Sequence, residues 1–329
     1  MTAIGAGVFS GYYLLESVYI PNGITSIGSK AFRSCSRLTS VTLPVSVTSV
    51  GTYAFQYCRS LRYLTLSGGM TRIGDSAFQD MEALVSVRIP PSVTEIGRNA
   101  FSGCTALSGV IIPSSVQTVG ASAFRNCTGL VTLALPDSLT ALGDSVFYGC
   151  TGLREIALPT SVTEIPENAF NGCTGLSSVS IPPSVTFIGK QAFRHCSALQ
   201  SVYVPDSVTG IGQGAFEDCT ALGAIRLPER MDGIASYAFS GCTALTRFTF
   251  PEVSGIADYL FSGCSALTSV VFPGRYLANI VQKTTFRDCE RLEAIYCIYD
   301  EDFDSAWSRF AVNFGDKLVP LEDLPASLR

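Results

Sequence analysis

Histidine occurs once in this 329-residue chain, at His195, and tryptophan occurs once. A lone imidazole excludes multi-histidine metal centres and leaves a single candidate for histidine acid–base chemistry. Charged residues make up only 15% of the chain against 47% apolar, the reverse of the balance that keeps a polypeptide disordered. No apolar run reaches about 18 residues, so no membrane-spanning helix is encoded. Met1 to Gly11 lacks the basic start and apolar stretch of a secretory signal. Lys and Arg number 22 against 27 Asp and Glu, a net charge of −5, which argues against nucleic-acid binding by bulk positive charge. The chain has twelve Cys but no C-x-x-C pair, so the sequence implies neither zinc nor any other cofactor.

What is abundant is repetition. Phe recurs every 23 residues from Phe9 through Phe32, Phe101 and Phe170 to Phe239, then at Phe261 and Phe286. A second column, from Leu15 through Leu38 and Leu107 to Leu292, has no exception. The unit reads C-x-x-L-x-x-V-x-[LI]-P-x-S-V-T-x-I-G-x-x-A-F-x-x, as in Cys104 to Arg125. Separate domains would not keep this phase, so the pattern predicts one solenoid of thirteen 23-residue coils over residues 1–297.

Each slot has a physical meaning. Val41 and Leu43 alternate with Thr42, which predicts a short strand with both apolar residues inward. Pro44 then stops the strand, because proline cannot donate to a ladder. Ser92 to Ile96 is rich in β-branched residues and predicts a second extended segment. The 3-and-4 spacing of Ala123, Phe124 and Cys127 suits one turn of α- or 3₁₀-helix. Gly fills one corner slot in nine coils, yet Pro166, Ala235 and Ala257 also fill it. Proline holds φ near −65°, so this corner needs a small residue rather than a left-handed one.

With these columns in view, the unit resembles the BspA-type leucine-rich repeat, from residue 4 to about 297. The resemblance implies a leucine-rich-repeat solenoid with short parallel strands. It also implies a cell-surface or secreted protein with adhesion or host-binding roles and no enzymatic activity. The chain starts inside a unit, and an uncapped coil would expose apolar groups, which predicts a fragment of a longer protein. At the other end Phe303, Trp307, Phe310, Ala311 and Phe314 share one face of a helix, with Asp300 or Asp302 at its N-cap. Residues 298–329 are therefore read as a C-terminal helical cap, with Leu318 to Arg329 trailing along the surface.

Most chemical signals are absorbed by the repeat. Eleven Cys share one slot, which Tyr12 and Met81 also fill, so the slot calls for packing and predicts buried free thiols. Such thiols suit a cytosolic or anaerobic setting better than an oxidising one. His195 reads as a variable exposed position. Gly210-x-Gly212-x-Gly214 lacks the lysine of a phosphate loop and coincides with a coil corner. The Thr column from Thr25 to Thr209 reads as β propensity on a solvated face rather than as a ligand-ordering ladder.

The outward positions of the concave strand face are mostly Ser, Thr, Ala and Gly. Two clusters stand out there: Arg62, Tyr63 and Arg88, and Tyr203, Arg226 and Arg247. Arg and Tyr are enriched in binding hot spots. The second cluster lacks an acid in matching slots, which predicts unpaired positive charge able to grip a carboxylate or sulfate. Where the phase slips, at 251–286, the longer segment Pro273 to Lys283 reads either as a repacked coil or as a projecting loop carrying Arg275 and Tyr276. The leading reading is a non-catalytic module that binds a protein or glycan. A structural spacer is second, and an enzyme third.

Overall fold

A computed structural model describes residues 2–253, 255–273, 283–297 and 314–325. It is a parallel β-solenoid of about thirteen turns, and its chain falls into two compact units, Met1–Ser180 and Ile181–Arg329. The same coil builds both.

In the first unit Ser40–Thr42, Tyr63–Thr65, Ser86–Arg88 and Gly109–Ile111 form a four-stranded parallel sheet. Its register is the repeat length, with Ser40 opposite Tyr63 and Arg88 opposite Ile111. Val41 and Leu43 are buried while Thr42 is exposed, as the alternation requires. The β-branched segments form the second wall, with Arg72–Ile73, Glu95–Ile96, Thr118–Val119 and Ala141–Leu142 in one ladder. The second unit repeats the plan. Ser201–Tyr203 pairs with Ala224–Arg226, and Phe187–Ile188, Gly210–Ile211 and Gly233–Ile234 form the second wall.

The third wall corrects the helical-turn expectation. Within one coil, Ala100, Ser102 and Cys104 donate their N–H groups to Gly97, Asn99 and Phe101 carbonyls, three residues back. The intervening N–H groups of Asn99, Phe101 and Gly103 cross instead to Ala121, Ala123 and Arg125 in the next coil. Alternate amides thus close turns and join coils, which pairs the buried donors of this coil and prevents a continuous helix. The geometry requires positive φ at two positions per coil, as at Asn99 (51°) and Gly103 (75°). Among the described residues only Lys283–Phe286 is a regular 3₁₀ turn in this wall.

The corner glycines behave as expected. Gly51 and Gly212 have ordinary φ, but a Cβ there would stand 2.5 Å from Ser29 N and 2.6 Å from Lys190 N. The demand is closeness between coils, and it is met again by Ala and Pro in other coils.

Inside, the Phe columns stack. In the first unit Phe9 to Phe170 run ring on ring, with centroids 5.1 to 5.9 Å apart. In the second, Phe193, Phe216, Phe239, Phe261 and Phe286 stack at 5.2 to 5.6 Å. Such pairs add about 0.5–1.5 kcal/mol beyond area burial. At the phase slip Phe248, Phe250 and Phe272 are buried, with Phe250 and Phe272 stacked at 4.1 Å, so this coil is repacked with aromatics.

The residues of the expected cap helix, 298–313, and the loop residues Arg275 and Tyr276 lie outside the described residues. Phe314 is buried edge-on against Phe286 at 5.7 Å. The tail does not simply trail along the surface. Leu318–Pro320 adds a parallel strand beside Ala294–Cys297, with Ile295 opposite Leu318, one repeat length further on. Lys317 Nζ donates to Leu292 O at 2.7 Å, fixing the approach.

Candidate binding surface

Tyr203 and Arg226 end neighbouring strands and stand opposite each other in register. The inward residues Val202 and Val204 are buried, so alternation turns Tyr203 out, 54% exposed. The Arg226 guanidinium lies over the Tyr203 ring, 4.8 Å from its centroid. A cation on an aromatic face is held in place at small entropic cost, an attraction of about 0.5–1 kcal/mol at exposed sites. One expectation fails in part. Asp206, from the turn after Pro205, brings its carboxylate to 3.9 Å from Arg226 Nη2, so the positive charge is loosely paired rather than unpaired. Arg247 begins its own strand, two residues before the slot shared by Tyr203 and Arg226, and is not stacked with them.

In the first unit, Tyr63 lies opposite Ser86, which puts Arg88 one strand over and two residues along. Arg62 immediately precedes Tyr63 at the strand entrance. All three are exposed, and among the described residues their side chains make no ion pair, hydrogen bond or ring contact. They share a face without touching. The same unit holds a feature that sequence reasoning missed in part: a shallow trough of about 480 Å³ lined by Thr132, Ala134, Glu155, Ala157, Ser178 and Ser180. The run of small outward residues was legible. The carboxylate of Glu155 on its wall was not singled out.

The repeated polar residues are committed to the coil. Thr48, Thr94 and Thr140 hydroxyls donate to the preceding coil's carbonyl at 3.2 to 3.3 Å, and Ser138 and Ser207 do the same at 2.8 and 2.6 Å. The Thr column is a set of coil-to-coil ties, each contributing roughly 0.5–1.5 kcal/mol. His195 sits at a positive-φ slot, 60°, a conformation in which Asn, Asp and His are enriched. Its Nδ1 lies 3.3 Å from Asp218 Oδ2, the same slot one coil on.

The thiol column has a use beyond packing. Cys58 Sγ donates to Phe32 O at 3.1 Å, Cys104 to Phe78 O at 3.3 Å and Cys150 to Phe124 O at 3.1 Å. The Phe32 and Phe124 carbonyls thereby gain a second donor beside the amide of their own coil's turn. All twelve Cys are free, and eleven are buried. Burial pushes the Cys104 and Cys150 thiols up to about 12 and raises Cys127 and Cys173 well above the usual range. Thiol labelling at pH 8 is therefore expected to count all twelve in denaturant and fewer than two in the native protein within an hour. Rapid native labelling of several would contradict the buried column.

Known proteins agree with this architecture. The profile described as "BspA type Leucine rich repeat region (6 copies)" matches residues 2–131, 94–223 and 211–301. A leucine-rich repeat protein from Bacteroides ovatus is 33% identical, covering 75% of this chain and 70% of its own, with a TM-score of 0.64. A leucine rich cell surface protein from Faecalibacterium prausnitzii is 30% identical over 94% of this chain and 85% of its own, with a TM-score of 0.61. The pneumococcal vaccine antigen PcpA shares the fold at 20% identity and a TM-score of 0.56, over 97% of this chain and 83% of its own. No protein of curated function matches the chain.

Proposed function

Because the chain belongs to the BspA-type leucine-rich-repeat family, we propose that it is a non-catalytic binding module that displays outward strand residues to a protein or glycan at a bacterial cell surface. The observation that carries this reading is the Tyr203–Arg226 stack. It is an exposed, pre-oriented aromatic–cation pair whose strand partners at the other outward slot, Ser201 and Ala224, are small. Hydroxyls of the Thr and Ser columns are spent on carbonyls of the preceding coil, and the thiols are buried, so these repeated groups are not the ones left to meet a ligand. The F. prausnitzii relative is described as a cell surface protein, which supports the location. Arg247, Arg275 and Tyr276 extend the candidate contact set.

The test is a pair of substitutions, Tyr203→Ala and Arg226→Ala, assayed on glycan arrays and on bacterial and epithelial cells at 50 and 300 mM salt. Losing one such hot spot costs about 2 kcal/mol or more, so at least a tenfold weakening is expected, more marked at low salt for Arg226. Unchanged binding in the double variant, with the fold intact by circular dichroism, would remove this patch from the reading.

A further inference from the structure

The strand face of the first unit carries a surface of different character from the Tyr203–Arg226 pair. Over successive coils it exposes Tyr63 (69%), Val85, Ile111 (59%) and Val131. Arg62 and Arg88 stand among them. Parallel strands lie about 4.8 Å apart, so these four coils span roughly 15–20 Å, the reach of five or six extended residues. Arg88 is opposite Ile111 in the ladder, which seats a cation directly beside an exposed aliphatic side chain.

The charge around this surface is one-sided. Residues 39–134 contain six Arg and only four carboxylates, in a chain whose net charge is −5. Three of those carboxylates are engaged elsewhere: Glu82 with Arg59 at 3.0 Å, and Asp75 and Glu95 with Arg72 at 2.9 and 3.0 Å. The fourth, Asp80, lies in the turn wall. On the strand face the next carboxylate is Glu155, one coil beyond Val131 and paired in the ladder with Thr132. Arg62 and Arg88 are therefore solvated cations without a carboxylate neighbour, and a desolvated Arg pairs most strongly with a bidentate acid.

We propose that this surface docks an acidic protein segment in extended form, with apolar side chains over Tyr63, Val85, Ile111 and Val131 and carboxylates on Arg62 and Arg88. The inference rests on the reading of the chain as a binding module and names the partner class for one face of it. The four exposed apolar residues decide between protein and glycan. Three are β-branched aliphatics, which offer no flat face to a sugar ring but match the aliphatic or aromatic anchors of a peptide. A sulfated glycan would satisfy the arginines and leave Val85, Ile111 and Val131 against water.

The test uses the full chain and three fluorescent probes: a 12-residue peptide alternating Glu with Leu and Phe, the same peptide with Lys for Glu, and a heparin octasaccharide. Anisotropy is read at 50 and 300 mM salt. The acidic peptide is expected to bind, the Lys peptide to bind at least tenfold more weakly, and salt to weaken the former. Arg62→Glu with Arg88→Glu should lower the acidic peptide's affinity at least tenfold. Arg98→Glu with Arg125→Glu, which changes charge equally in the turn wall, should change it less than threefold. Ile111→Ser should weaken peptide binding and leave any heparin binding unaltered. Heparin bound in preference to the acidic peptide would overturn the proposal, as would peptide binding that survives the Arg62/Arg88 double change. Peptide binding lost with Tyr203→Ala and Arg226→Ala but not with the Arg62/Arg88 change would defeat this assignment while the binding-module reading stands. No binding to any probe, together with no effect of Tyr203→Ala and Arg226→Ala in the cell assay, would defeat both.

Discussion

Raising the pH from 9 to 11 is expected to unfold this protein over a narrow interval. A thiol whose pKa is raised by folding favours the native state fully below its unfolded value, near 9. That contribution is lost as the pH climbs towards the folded value, because the unfolded chain sheds a proton that the native chain keeps. For Cys104 and Cys150 the window runs from 9 to about 12, and burial raises Cys58, Cys127 and Cys173 in the same direction. Each thiol costs about 1.4 kcal/mol of stability per pH unit in that window. Five in one unit act together, so one and a half units remove on the order of 10 kcal/mol, comparable with the whole stability of a domain. Urea titrations at pH 8, 9 and 10 test this. The decisive quantity is the slope of stability against pH, which should be roughly halved when Cys104, Cys127 and Cys150 are replaced together by Ala. A flat profile between 9 and 10 in the parent protein would dismiss the mechanism.

The second large effect belongs to the aromatic column. Phe101 is fully buried, with stacked rings at 5.5 Å on one side and 5.7 Å on the other. Phe101→Ala removes the ring and leaves both neighbours facing a cavity, at a cost of about 3–5 kcal/mol. Phe101→Leu fills most of the space and forfeits mainly the ring–ring term, so roughly 1–2 kcal/mol is expected. Because stability in a solenoid is shared between adjacent coils, the damage should spread beyond one coil. Hydrogen exchange of the Phe78 and Phe124 amides, which cross between coils, should accelerate with that of Phe101. Chemical denaturation that ranks the two substitutions equally would deny the stacked column its role.

The core of the coil was readable because each slot repeats one side-chain requirement. Phe, Leu and Pro announce the column, the second column and the strand end by identity alone. The positive-φ slots hide for the opposite reason. Lys30, Tyr53, Ser76, Asn99 and Gln191 occupy one of them, and what they share is a backbone shape set by inter-coil amide bonds. The final strand is similarly obscure. Leu318 follows Ile295 by one repeat length, but no Phe or Leu column marks it, and its pairing is a matter of register alone. At the candidate surface, alternation sets Tyr203 and Arg226 at one outward slot of adjacent coils, and the strand register has them opposite each other. Asp206 escaped notice because it reaches Arg226 from the turn after Pro205, a region that a comparison of strand slots alone ignores.

Salt links that step one coil along the chain carry a consequence for how such a gene can change length. Arg59 with Glu82, Arg72 with Glu95 and Arg194 with Glu217 all join residues 23 apart. Excising residues 60–82 would seat Phe101 on Phe55 and keep every core column in phase, yet Arg59 would then face Thr105 instead of Glu82. Exposed pairs of this kind contribute at most about 1 kcal/mol, so the shortened chain should still fold. Unequal crossing-over can therefore add or remove whole coils with little penalty, and the rim charges record which coils have stayed neighbours. Coil number is a quantity that selection can tune by recombination, while the order of coils is written in their edges.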